Sequence, residues 1–203
     1  MIKLIDNEIY TDDNFEGQIF NCTDIKKSKF NECNFKSTEM EDAIIDNCEF
    51  IDCDFKAARL NASIFTNCAF LNCKFTYADL FGSKFKDCKM IGSTFEETNL
   101  MAVTIEKGNW SYTNLKFHDF KGLDLSEVNF TGADLTGCNL ENIRFNNTDL
   151  SHTNLNQAKL KGSDFRNAKL DGVNLSELNL KDVYLDITQC ILLAHSLGAK
   201  IDI

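Results

Sequence analysis

The chain has 203 residues, 31 Asp and Glu against 21 Lys and Arg, a formal net charge of −10, 43% apolar residues, nine cysteines and no proline. This acidity excludes a basic nucleic-acid-binding stripe, and no apolar run approaches the roughly 18 residues of a membrane-spanning helix. The length suits one domain, with no linker or low-complexity segment, and the opening Met1-Ile2-Lys3-Leu4-Ile5-Asp6 lacks the long apolar core of a signal peptide, so a cytoplasmic protein is expected.

Residues 1–14 read as an N-terminal cap. From Phe15 to Leu185 every fifth residue is large and apolar, through 35 consecutive pentads. A period of five matches neither the 3.6 of a helix nor the 2.0 of a strand, so one apolar face can form only if the chain turns a corner at each pentad. Two residues before each central residue lies a smaller inward slot, filled by residues such as Cys33, Thr38, Ala43, Cys48, Cys53, Ala58 and Ser63. Two residues after it, Gly, Asn and Asp are frequent, as at Gly17, Asp42, Asn47, Gly82 and Gly132. These types tolerate the positive φ of a tight turn, which locates the corner. The absence of proline fits a ladder that uses its backbone N–H groups.

Stretches such as Ala133-Asp134-Leu135-Thr136-Gly137 and Cys73-Lys74-Phe75-Thr76-Tyr77 resemble the pentapeptide-repeat family, over about residues 13–186. The resemblance implies an all-β fold, a right-handed quadrilateral parallel β-helix of four pentads per coil spanning residues 15–185. Residues twenty apart should then stack. Phe35, Phe55 and Phe75 form one core column, Cys33, Cys53 and Cys73 another, and the filling changes from Phe-rich to Leu-rich near residue 100. At roughly 4.8 Å between stacked strands, about nine coils make a rod on the order of 40 Å long.

Seven of the nine cysteines occupy the inward slot, where a reduced thiol serves as a compact apolar filler; only Cys22 and Cys190 lie elsewhere. No CxxC or Cys/His spacing of a metal site occurs, so no metal and no cofactor is expected. His118, His152 and His195 are scattered, with His118 in an inward slot as a hydrogen-bonded core residue. No nucleophile–base arrangement can be assembled, and a non-enzymatic protein is expected.

After Leu185 the period changes. Residues 186–203 read as a helix capped by Asp186 and stopped by Gly198, with Ile187, Cys190, Ile191 and Ala194 turned to the end of the core. Leu192, Leu193 and Leu197 form a further stripe, and Ala199-Lys200-Ile201-Asp202-Ile203 could extend along an edge. A homodimer is expected through this tail, with Ile191, Leu192, Leu193, Leu197 and Ile201 at the interface.

The segment from Leu185-Asp186 through Gln189 to Leu192-Leu193 and Leu197-Gly198 resembles the C-terminal dimerisation tail of the quinolone-resistance (Qnr-like) group. That resemblance implies a DNA mimic without nucleic-acid binding of its own, whose partner is DNA gyrase or topoisomerase IV and which lowers fluoroquinolone susceptibility. Two features depart from it. The unbroken register leaves no room for the loops that several members insert, and residues 1–55 carry 14 Asp and Glu against five Lys, a net of −9 that leaves −1 for the rest. The alternative is a scaffold or interaction protein without a topoisomerase role, its partner surface built on outward apolar Ile51, Leu71 and Ile91 with Phe81 and Met101 alongside.

Overall fold

The computed structural model describes residues 4–201. Within them lie nine three-residue strands: β1 (Ile9–Thr11), β2 (Asp24–Lys26), β3 (Lys29–Asn31), β4 (Ile44–Asp46), β5 (Glu49–Ile51), β6 (Ile64–Thr66), β7 (Ala69–Leu71), β8 (Lys84–Lys86) and β9 (Thr104–Glu106). All pair in parallel at a spacing of twenty residues, in two sheets ordered β1-β3-β5-β7 and β2-β4-β6-β8-β9. Single bridges with the same spacing, such as Asn14 to Asn34 and Ile19 to Glu39, complete two further faces. The fold is therefore the right-handed quadrilateral β-helix that the family resemblance implies.

The corner rule holds without exception along the ladder. Every fifth residue from Asn7 to Gly172 has φ between +52° and +77°, and most of these residues are not glycine. Most of their N–H groups bond the next coil, as Glu32 does to the Ile51 carbonyl at 2.8 Å. Backbone pairing between coils thus holds the corners in a conformation that costs an L-residue roughly 1–2 kcal/mol. Corners come in two kinds in the N-terminal half. After Phe35, Phe55 and Phe75 an i→i+3 bond closes the turn, as from the Ala58 N–H to the Phe55 carbonyl at 3.0 Å. The corners before Cys53, Cys68, Cys73 and Cys88 lack that bond, and the thiol instead faces two carbonyls; Cys53 Sγ lies 3.4 Å from the Ile51 oxygen and 3.3 Å from that of Phe30.

The core is a set of stacked columns. Phe15, Phe35, Phe55, Phe75 and Phe95 stack at 4.8 to 5.0 Å between ring centroids, and Phe30, Phe50 and Phe70 at 4.7 Å. The two columns meet edge to face, as in Phe50 against Phe55 at 5.4 Å, an arrangement favoured by the ring quadrupole. Cys33, Cys53 and Cys73 are buried beside them. The coil reaches further towards the N-terminus than residue 15: β1 pairs with β3, and Tyr10 stacks on Phe30 at 4.9 Å. The segment expected as a separate cap contributes the first coil, because Tyr10 occupies the next five-residue position; Met1 to Lys3 lie outside the described residues.

The tail forms one helix, α1 (Ile187–Ser196). Asp186 caps it through a reciprocal pair: its carboxylate accepts from the Gln189 N–H at 3.1 Å, and the Gln189 side chain accepts from the Asp186 N–H at 3.1 Å. The second Asp186 oxygen accepts from the Asn167 N–H at 2.8 Å, which ties the helix to the last coil. The core-facing stripe differs from the one expected. Ile187 is 81% exposed and Cys190 is also exposed, whereas Gln189 is buried and Leu192 and Leu193 pack against the core. The reason is polar: Gln189 donates to the Phe165 carbonyl and, at 2.9 Å, to that of Ala168, satisfying end-of-ladder acceptors that an apolar stripe would have left unpaired.

Candidate functional site

The side chains give no catalytic or metal-binding constellation to build on. Among the described residues no three His, Cys, Asp or Glu converge on a metal-sized site, and no helix is long and apolar enough to cross a membrane. His118 Nε2 lies 2.7 Å from the Phe95 carbonyl, and burial lowers its pKa from the ordinary value, so it sits as a neutral slot residue. The seven slot cysteines are buried and unpaired, and burial pushes the thiols of Cys48 and Cys138 up to about 12. What remains is surface, and it falls into three parts.

The first is the N-terminal half of the rod. Asp12, Glu32 and Asp52 stand one above another at consecutive positive-φ corners, exposed and without an ion pair among the described residues. Several other carboxylates are paired with cations from coil to coil, as in Lys29 with Glu49 at 3.0 Å, Arg59 with both Glu39 and Glu41, and Lys121 with Glu141 at 2.9 Å. Spacing by twenty does this directly, because oppositely charged residues in one column become neighbours.

The second is apolar. Ile51, Leu71 and Ile91 share a column and are half-buried, with Ile51 and Leu71 in direct register between β5 and β7. Phe81 and Met101 project further, and Met101 is 67% exposed. Tyr77, Tyr112 and Phe117 are also exposed, Phe117 to 71%, and all three sit at positive-φ corners where bulky residues are uncommon. The sequence pattern held the signal for them: each lies two residues after a central apolar residue, where Gly, Asn or Asp is the common choice. The Tyr112 ring lies over Gly132, where an added Cβ would come within 2.7 Å of it.

The third is a seam in the ladder. Among the described residues, no backbone hydrogen bond or bridge joins residues 97–107 to residues 116–126. The coils meet before it, where the Phe95 N–H donates to the Asn114 carbonyl at 3.1 Å, and after it, where the Trp110 N–H donates to that of Asn129 at 2.7 Å. Strand β9 is consequently a sheet edge in mid-rod. Long slot residues coincide with the parting. Elsewhere a small side chain reaches the carbonyl 23 residues earlier, as Ser93 does to Phe70 at 3.0 Å. Here three successive slots hold His118, Leu123 and Val128, and the His118 nitrogen that meets the Phe95 oxygen is two bonds further from Cβ than a serine hydroxyl. Trp110, the largest buried residue, fills the same level, and its indole N–H has no partner. The parted coils enclose adjoining clefts of about 410, 430 and 520 Å³, the largest lined by Leu100, Met101, Phe117, His118, Phe120 and Leu123 among others.

Comparison with known proteins follows the same outline. The family model described as "Pentapeptide repeat region" matches residues 23–86, 58–135, 78–154 and 125–190. Among solved structures, two trypsin-treated forms of QnrB1, a plasmid-mediated fluoroquinolone resistance protein, superpose with TM-scores of 0.79 and 0.80 at 23% and 22% identity. They cover 96% and 95% of this chain and 100% and 99% of theirs. HetL, a pentapeptide repeat protein involved in heterocyst differentiation regulation from the cyanobacterium Nostoc sp. strain PCC 7120, gives a TM-score of 0.58 at 18% identity, covering 89% of this chain and 86% of its own. No curated protein matches by sequence. At these identities the structural likeness establishes the fold.

Proposed function

Because this chain belongs to the pentapeptide-repeat family, we propose that it is a non-enzymatic, cytoplasmic binding protein of the Qnr-like kind, a DNA mimic whose partner is DNA gyrase or topoisomerase IV. The observation that supports this reading most is the end-to-end likeness to QnrB1, spanning both the coil and its helical end. The unpaired acidic column Asp12, Glu32 and Asp52 supplies the anionic face such mimicry needs. Spread over a dimer of roughly 80 Å, the net charge gives about one charge per 4 Å, against one per ~1.7 Å in duplex DNA, so the likeness is partial. We place the dimer interface on the tail, through Ile191, Leu192, Leu193, Leu197 and Ile201.

Gyrase supercoiling, measured over a range of protein concentration with and without ciprofloxacin, tests the proposal. Loss of supercoiled product, or relief of drug inhibition, is expected. A folded, dimeric protein that does neither would remove topoisomerase from the reading. The exposed side chains Tyr77, Phe81, Met101 and Phe117 favour the second reading, a scaffold for another protein, which would then stand.

A further inference from the structure

We propose that the seam between residues 97–107 and 116–126 is a binding groove for an extended, basic segment of polypeptide that pairs with the exposed edge of β9. Three observations converge on that occupant. The groove leaves main-chain donors and acceptors without partners: the N–H groups of Leu100 and Ile105 and the carbonyls of Asp119 and Asp124 would bond across the seam if the regular ladder continued. On the β9 edge itself the Ile105 N–H and, two residues before it, the Val103 carbonyl are free of ladder bonds, and an N–H and a C=O at that spacing are complementary to an extended peptide backbone. Between the lips the cleft has a mixed lining, with apolar Met101, Phe117 and Leu123 beside polar Asn99 and His118, and the apolar side chains suit an aliphatic residue at the centre of the segment.

Charge selects the flanks. The cations at the lips are already engaged: Lys107 reaches across the end of the seam to Glu127 at 2.8 Å, while Lys116 and Lys121 pair away from it with Asp134 at 3.1 Å and Glu141 at 2.9 Å. The carboxylates of Glu96, Glu97, Glu106 and Asp119 have no ion pair among the described residues, so the groove faces its ligand with unneutralised negative charge. Lys or Arg on either side of the apolar residue answers it. This groove is independent of the acidic N-terminal column and of the topoisomerase reading.

Two measurements test the proposal. In amide hydrogen exchange of the full chain, Leu100 and Ile105 should exchange at least tenfold faster than Leu80 and Leu140, whose amides bond the next coil at 2.9 and 2.8 Å; equal protection would overturn the open edge. A random decapeptide library displayed on phage is then selected on the protein and counter-selected on the doubly substituted His118→Ser, Leu123→Ser chain, in which small slot residues close the ladder. Enriched peptides should carry Lys or Arg flanking an aliphatic residue. Synthesised with N-methylated alternate amides, they should bind the unaltered protein at least tenfold more weakly. Acidic or unselective clones, or N-methylated peptides that bind as well as their parents, would refute a backbone-pairing groove even if the double substitution failed to fold.

Discussion

At the level of single residues, the slot and the central position do different work, and they fail differently when changed. The central phenylalanines stack within their column and meet the neighbouring column edge to face, so Phe50→Ala removes contacts in both directions. A loss of about 3–5 kcal/mol in denaturant unfolding is expected for a fully buried Phe of this kind. The slot thiols are sealed by the coil before them, and burial holds those of Cys48 and Cys138 well above the ordinary thiol range. Iodoacetamide at pH 8 should therefore modify Cys22 and Cys190 alone in the native protein, read by peptide mass spectrometry; labelling of Cys48 or Cys138 without unfolding would contradict their burial. Both positions were legible in the sequence, because each recurs with one residue type per column. Gln189 was not, since a polar residue between apolar neighbours gives no sign that its amide will meet two carbonyls of the coil.

At the level of elements, the helix α1 depends on one carboxylate. Backbone N–H groups, that of Asn167 first and that of Gln189 next, hold the Asp186 carboxyl below the usual carboxylate range. A depressed pKa in the folded state contributes stability that is fully present above the unfolded value near 3.9 and is lost as pH falls below that value through the folded pKa. The helix should consequently release from the coil below about pH 4, before the ladder does, visible as early loss of the helical circular dichroism signal. Asp186→Ala should cost about 1 kcal/mol at neutral pH, measured by thermal unfolding, and flatten that acid transition. Leu197, 68% exposed at the helix end, tests the proposed dimer more cleanly than Leu193, which also packs on the core. Leu197→Asp should halve the mass in light scattering while leaving the melting temperature of the monomeric coil unchanged. The existence, start and stop of this helix followed from Asp186 and Gly198; the face it presents did not, because helical periodicity alone weighs every apolar residue equally. The seam escaped sequence reading for a related reason. His118 was visible in a small slot, but the parting of the coils beside it and Leu123 shows only in the structure.

The whole molecule is a stack in which each coil bonds the one before and the one after, so its stability is a sum of neighbouring interfaces. A binding surface spread along such a rod should respond to ionic strength through its unpaired carboxylates. Raising salt from 50 to 200 mM should weaken any gyrase inhibition at fixed protein concentration, whereas a scaffold contact through Phe81 and Met101 should hold. The corner rule carries a different consequence for length. Adding or removing twenty residues returns the chain to the same phase, but adding or removing five preserves the alternation of central and slot residues while shifting the columns that stack and rotating all that follows by a quarter turn. Variants trimmed one pentad at a time would thus sweep the terminal helix around the rod in four discrete orientations, each folded, with the direction of any attached partner set by the remainder on dividing by four.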